Sequence, residues 1–259
     1  MAAVGSMEKA WTLSSELRAT ITHYPSAGRQ ELHSHEHSQV SFILGGFLHE
    51  ELGKSDYLAC SMMRGQKPAG LVHADRWGAE GVLVFTLRIT EKVLPEGQLK
   101  PGWAPCRDPS GVAALLRVFV EHLEPDLRQE ALFDLLASEV QNDRSRGVPP
   151  PWLERARQAI HDAPHPGCVA SAALEGGIHR AHFTNVFRQF YGSPPSIYRR
   201  QVLVGRAVNA LIRSSASFAQ VAADAGFCDQ SHLSRALRTH TGLTPAQLRS
   251  LMRKATSVQ

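Results

Sequence analysis

The sequence predicts an α+β chain: an N-terminal antiparallel β-barrel, two linker helices, and an all-α domain of about seven helices with two helix-turn-helix motifs. Three observations predict it. Short apolar stretches punctuated by Gly and Pro fill residues 17–89, a helical apolar period begins near residue 110, and every segment after a proline-rich run at residues 149–151 reads as helix. At 259 residues and 43% hydrophobic, the chain has material for two buried cores.

The strand signals are clearest in Val40-Ser41-Phe42-Ile43-Leu44-Gly45-Gly46 and Gly81-Val82-Leu83-Val84-Phe85-Thr86-Leu87. Many short strands separated by turns argue for an antiparallel sandwich or small barrel over residues 1–108. Val112, Leu115, Leu116, Phe119, Val120 and Leu123 then form one helical stripe, which Pro125 breaks. A second helix over about residues 128–140 presents Leu132, Leu135, Leu136 and Val140. Two compatible uses of these stripes stand open: packing on the parent sheet, or a homodimer face within residues 109–140. Residues 141–151 are polar and then proline-rich, so an exposed linker stiffened toward polyproline II is expected there.

Beyond the linker, residues 152–259 contain two joints of one design. Val169, Ala170, Ala173 and Leu174 precede Gly176-Gly177, after which a helix opens at His179 with Phe183, Val186 and Phe187 on one face. Phe218, Val221 and Ala222 precede Gly226-Phe227, after which a helix opens near Asp229 with Leu233, Ala236 and Leu237 on one face. The glycines suit the corner of a helix-turn-helix. Gly177 to Gly226 spans 49 residues and Gly192 to Gly242 spans 50, an internal repeat. A helix over residues 195–213 joins the modules; at 1.5 Å per residue it is roughly 28 Å long, near the roughly 34 Å between successive major-groove faces.

Charge separates the halves. Residues 151–259 hold 13 Arg/Lys against five Asp/Glu, whereas residues 1–150 hold 15 against 19. A basic module beside an acidic one suits a polyanion binder joined to a regulatory domain. No apolar run reaches the roughly 18–20 residues that cross a bilayer, and Glu8 and Lys9 interrupt the start, so no membrane role and a cytoplasmic location are expected. Cys60, Cys106, Cys168 and Cys228 form no C-x-x-C pair, and buried reduced thiols are expected.

Residues 168–250 resemble the DNA-binding domain of the AraC/XylS family of transcription regulators. The second module carries the likeness best, in Gly226-Phe227-Cys228-Asp229-Gln230-Ser231-His232-Leu233-Ser234-Arg235, then Arg238, Gly242, Thr244-Pro245 and Arg249; Leu233 and Leu237 stand where the family usually has aromatics. The resemblance implies base-reading positions at Ala181, Thr184 and Asn185, with Arg180 and Arg188 suited to phosphates. On the second helix Gln230, Ser231, Ser234 and Arg235 face outward; Gln and Arg can pair bidentately with adenine and guanine, and Arg238 suits a phosphate. His179, His182, His232 and His240 are expected at the surface or as caps.

His33, His35 and His37 with Gln39 and Gly45 resemble the first motif of the cupin superfamily, and Gly65-Gln66-Lys67-Pro68-Ala69-Gly70-Leu71-Val72-His73 resembles the second. Alternation along one strand would point His33, His35 and His37 the same way. The resemblance implies a cupin-like barrel with a divalent-metal site (Zn, Ni or Fe) at His33, His35, Gln39 and His73, although Gln39 replaces the usual carboxylate. Two readings stand: a metal site, or structural histidines that line an organic-effector pocket. Trp77, Arg64, Arg76 and Arg88 are further candidates for such a pocket.

The expectation is therefore a sequence-specific DNA-binding regulator that answers to a small effector or a metal ion. Its expected partners are double-stranded DNA, a second copy of itself, and RNA polymerase if it activates. The alternative is a metal-dependent cupin enzyme with a passenger helical domain. No Gly-rich phosphate loop or nucleophile elbow supports catalysis, so no enzyme is expected.

Overall fold

Nine strands form one antiparallel sheet among the described residues of the computed structural model, which are 6–25, 27–94, 97–120, 125–139, 149–253 and 256–257. The strands are β1 Met7–Ser14, β2 Leu17–Tyr24, β3 Gly28–His33, β4 Ser38–Leu52, β5 Ser55–Cys60, β6 Met63–Lys67, β7 His73–Ile89, β8 Gly102–Pro105 and β9 Thr256–Ser257. Their order is β8-β6-β4-β7-β2-β1-β9, with β5 added against β4 and β3 against β7. Strand β1 begins ten residues before the expected strand region, because its sequence, MEKAWTLS, lacks clean alternation.

The long strands β4 and β7 pair from Ser38↔Ile89 to Leu52↔His73, with irregularities between Ile43 and Gly45 and between Gly46 and Leu48. Gly46 (φ +84°) meets Gly81 (φ +75°) there, and a Cβ on Gly46 would lie 2.2 Å from the Gly81 carbonyl oxygen. Only glycine tolerates both the backbone angle and the approach. On one side of this bend β4 borders β6 and β7 borders β2; on the other, β4 borders β5 and β7 borders β3. The sheet thereby rolls around an interior.

Alternation gives that sheet an apolar outside and a polar inside. Ala19, Ile21, Val40, Phe42, Leu83, Phe85 and Leu87 share a core with helices, while Thr20, Thr22, Gln39, Ser41, Thr86 and Arg88 line an internal cavity. Helix α1 (Pro109–Val120) covers the outside with Val112, Leu115, Leu116 and Phe119; the Phe119 ring sits 5.0 Å from Trp11 and 6.1 Å from Phe85. Helix α2 (Pro125–Glu139) buries Leu132, Leu135 and Leu136 in the same core. It starts three residues before the expected boundary, since proline is suited to a first helical turn. Both apolar stripes are thus buried within the chain. Leu123, Val140 and residues 141–148 of the expected linker lie outside the described residues, and Pro150 has polyproline-II angles (φ −60°, ψ 146°).

Seven helices follow: α3 Pro151–Asp162, α4 Cys168–Glu175, α5 Arg180–Tyr191, α6 Pro195–Arg213, α7 Phe218–Ala225, α8 Gln230–Thr241 and α9 Pro245–Arg253. The number and the bounds of α6 match the sequence expectation. Helix α6 lies on the sheet. A Cβ on Gly205 would come 2.7 Å from the Gly46 nitrogen, and one on Gly45 would meet Val208 at 2.9 Å. Buried Asn209 accepts from His23 Nε2 (2.9 Å) and donates to the Gly81 carbonyl (3.3 Å). One apolar cluster therefore runs from the sheet through α1 and α2 into α6–α9.

All four cysteines are free, and two depart from the buried state expected: Cys106 is half-buried, and Cys228 is exposed in the turn that opens α8. Burial pushes the Cys60 thiol up to about 12. No helix among the described residues is long and apolar enough to cross a membrane.

Candidate nucleic-acid interface and sensor cavity

The two helix-turn-helix units, α4–α5 and α7–α8, repeat in the backbone as well as in the sequence. Gly177 (φ +62°) and Gly226 (φ +88°) turn the two corners, and Gly192 (φ +77°) and Gly242 (φ +71°) close the second helices. A third pair fifty residues apart shares a role: Arg199 donates to the Pro164 carbonyl (2.7 Å), while Arg249 donates to the carbonyls of Leu211 (3.2 Å) and Ala216 (2.7 Å). The Arg249 guanidinium also sits 4.6 Å over the Phe218 ring. These arginines clasp the chain ahead of each unit.

Helix α5 buries Phe183 and Phe187, which leaves Arg180, Ala181, Asn185 and Arg188 exposed and Thr184 half-buried. Helix α8 buries Leu233, Ala236 and Leu237, which leaves Gln230, Ser231, Arg235 and Arg238 exposed and Ser234 half-buried. The cap of α8 is a carboxylate: Asp229 accepts the His232 N–H at 2.7 Å. The cap of α5 is an imidazole, with His179 Nδ1 accepting the Ala181 N–H at 3.3 Å.

His182 is exposed and His232 half-buried, but His240 is buried, contrary to the surface expectation. It continues the inward row of Leu233, Ala236 and Leu237 at helical spacing. Burial, helped by Arg200, lowers its pKa to about 4.

Folding also sorts the arginines. Arg157 is buried against Glu154 and Tyr198 (2.8 Å to the phenol), and Arg206 donates to the carbonyls of His161 (3.0 Å) and Asp162 (3.1 Å). Arg199 and Arg249 likewise bind this chain's own groups.

At the mouth of the rolled sheet, the end of β3, the connection after it and the start of β7 bring three imidazoles together. Ring centroids are 4.2 Å apart for His33–His73, 4.9 Å for His33–His35 and 5.0 Å for His35–His73. His33 Nδ1 donates to the Glu31 carbonyl (2.8 Å) and His73 Nδ1 to the Leu71 carbonyl (3.1 Å), so each Nε2 keeps its lone pair. The buried His73 Nε2 has no hydrogen-bond partner. Burial, with Lys67 adding to it, lowers His35 to about 3 and His73 to about 4. Neutral imidazoles whose outer nitrogen is held by a carbonyl fit a divalent metal ion. His37 is exposed and does not join them, because β3 ends at His33 and the chain bends before β4. Gln39 is buried and lines the cavity beside His35.

Glu50, Asp75 and Lys67 were not among the site residues expected from the sequence. Lys67 Nζ donates to Glu50 Oε1 at 2.6 Å, and Trp103 Nε1 donates to Glu50 Oε2. Burial works against charge on Glu50, yet the Lys67 ammonium holds it below the usual carboxylate range. Asp75, hydrogen-bonded to Glu50, is pushed up to about 7 by burial and by that carboxylate, against the pull of Lys67. Glu50, His73 and Asp75 form a second cluster with metal-ligand spacing that shares His73 with the first. Asp75 and Trp77 share the face of His73 by simple alternation, so a signal existed for them.

The cavity measures about 310 Å³. Of the expected pocket residues, Trp77 and Arg88 line it. Arg64 and Arg76 do not. Arg64 is buried outside it and bonded to the Glu139 carboxylate (3.2 Å), pinning the end of α2 to β6; Arg76, of opposite parity to Asp75 and Trp77, is exposed and paired with Glu51 (3.1 Å).

Residues 153–250 match the family model described as a helix-turn-helix domain. Among solved structures, the chain is similar to ToxT from Vibrio cholerae O395 at 10% identity, covering 93% of this chain and 100% of that one, with a TM-score of 0.39. The C-terminal domain of AraT, a response regulator from Geobacillus stearothermophilus, is 20% identical over 40% of this chain and 88% of its own, with a TM-score of 0.38. A cupin superfamily protein from Desulfitobacterium hafniense is 11% identical over 35% of this chain and 83% of its own, with a TM-score of 0.31. No relative is found among curated proteins. The assignment of residues 153–250 rests on the sequence match.

Proposed function

We propose that the protein is a sequence-specific DNA-binding transcription regulator whose rolled sheet receives a small effector. In this reading residues 1–108 sense and residues 152–259 bind DNA; a homodimer through residues 109–140 would use faces of α1 and α2 other than their buried stripes. One observation supports it most: two similar helix-turn-helix units flank α6, each showing solvent a polar face of its second helix. Arg235 and Gln230 have the forked groups that recognise guanine and adenine edges, Asn185 an amide suited to adenine, and Arg180, Arg188 and Arg238 positive charge for phosphates. Titration of the full chain onto duplex DNA at several salt concentrations tests the reading. Affinity should fall steeply with salt as phosphate-bound cations are released, and Arg238→Ala should flatten that slope. Binding that is insensitive to salt and to both Arg235→Ala and Arg238→Ala would refute it.

A second reading of the sensor is favoured by the imidazole geometry. His33, His35 and His73 would hold a zinc, nickel or iron ion, with Gln39 or a carboxylate of Glu50 or Asp75 beside them. Such an ion would polarise or orient a bound effector. Elemental analysis of the purified protein and of His73→Asn decides: stoichiometric metal that the substitution removes supports the site, and a metal-free wild type refutes it.

A further inference from the structure

Resting on the reading of the cavity as an effector site, we propose that its effector is a small organic acid, held through a single carboxylate by Arg88 with its body against Trp77. The charges inside are nearly all matched. The Lys67 ammonium is taken by Glu50 at 2.6 Å, and Asp75 shares a hydrogen bond with that same carboxyl group. Glu8, which also lines the cavity, is paired with Arg18 (3.3 Å) and Thr22 (3.4 Å). Arg88 is the exception: its buried Nε has no hydrogen-bond partner, and no carboxylate among the described residues forms an ion pair with it.

A guanidinium that lines a cavity without a counter-charge calls for an anion, and its planar fork matches a carboxylate bidentately. Around it the wall is polar but neutral. Gln39 lies across from Arg88 in the β4–β7 pairing, and the Ser41 and Thr86 hydroxyls bond each other at 3.1 Å two residues further along. One unmatched cation in neutral surroundings suits a monoanion better than a phosphate dianion. Trp77, its ring tilted against Tyr24 at 4.6 Å, supplies an aromatic wall for the body of the ligand. Asp75 Oδ1 and Trp77 Nε1, both without hydrogen-bond partners, offer a place for a hydroxyl or amino substituent. The volume of about 310 Å³ is at the lower end of small-molecule sites, which span about 300–1,000 Å³.

The full chain is titrated in EDTA, so that no histidine-bound metal can hold the probe. The probes are aliphatic, hydroxylated and aromatic monocarboxylic acids, among them lactate, gluconate, benzoate and mandelate. Each is run beside its primary amide, and inorganic phosphate is run as a dianion. Binding is read by thermal shift and tryptophan fluorescence. The proposal expects at least one acid to bind while its amide does not. Arg88→Gln should weaken that acid by about ten-fold or more, with Arg88→Lys weakened less. A cooperative thermal unfolding transition of Arg88→Gln without ligand, followed by circular dichroism, shows that the variant is folded. An amide that binds as well as its acid, phosphate that binds in place of the acids, or an Arg88→Gln variant that keeps full affinity would overturn the acid while leaving an effector site standing. No binding by any probe of either charge would overturn the effector reading itself.

Discussion

The two helix-turn-helix units share one backbone and differ in what they place on it. Both turn on a left-handed glycine, close on another, and are clasped by an arginine fifty residues from its counterpart. Yet α8 shows solvent Gln230, Ser231 and Arg235 behind a carboxylate cap, whereas α5 shows Ala181 and Asn185 behind an imidazole cap. Their settings differ too: the second unit packs against α1, where a Cβ on Gly242 would come 2.2 Å from the Ala113 carbonyl oxygen. The two copies thus share a scaffold and differ in the side chains they expose and in the elements they pack against.

The largest expected effect exploits that attachment. Gly242→Ala incurs about 1–2 kcal/mol for a left-handed backbone and a further ~1–3 kcal/mol for overpacking against α1. Gly177→Ala, with nothing within 4 Å of its new Cβ, incurs only the first. Denaturant unfolding of the two variants checks the difference, and equal losses would remove the asymmetry of attachment.

Next comes reading. Arg235→Ala should lose about 1–3 kcal/mol of discrimination at one base pair, and Asn185→Ala less; competition with single-base variants of a bound site measures both. Cap removal should be milder still. Asp229→Ala should destabilise by about 1 kcal/mol, and His179→Ala by less, since its 3.3 Å contact is the weaker one; thermal melts of the pair provide the comparison.

The smallest effect is expected in acid. The folded pKa of His240 lies near 4 against about 6.5 in an unfolded chain, so between those values the unfolded state binds the extra proton. Its contribution to stability is complete above about pH 6.5 and is lost as pH falls toward 4. The counterpart of His240 fifty residues earlier is Phe190, which does not titrate. His240→Phe should therefore flatten the decline of melting temperature between pH 6.5 and 4; an unchanged decline would place the acid sensitivity in other histidines such as half-buried His161 and buried His73.

Legibility in the sequence followed regularity of the backbone. The bounds of α6, the α1 stripe and the glycine corners were readable because helical spacing runs unbroken through them. In the sheet the same logic failed at the bend. Gln39 and Ser41 face the cavity from odd positions of β4, but the irregularities around Gly45 and Gly46 shift the parity, so Leu48 faces it from an even one, with Glu50 two residues further on. That shift put Glu50 out of register with the expected ligand positions. His37 failed for a related reason, since alternation predicts a direction only while the strand continues, and β3 stops at His33. The arginines taught a different lesson. Composition counts charge, but only folding separates Arg157, Arg199, Arg206 and Arg249, which serve this chain, from Arg235 and Arg238, which remain exposed.

Selection of bound sequences from a pool of randomised duplexes tests the central claim most directly. The account predicts an enriched motif of two parts about one helical turn, roughly 10 base pairs, apart, one sharply specified and one loosely, with Arg235→Ala erasing preference in the sharp part alone. A pool that shows no enrichment, or a motif whose two parts are equally sharp and unchanged by Arg235→Ala, would contradict it.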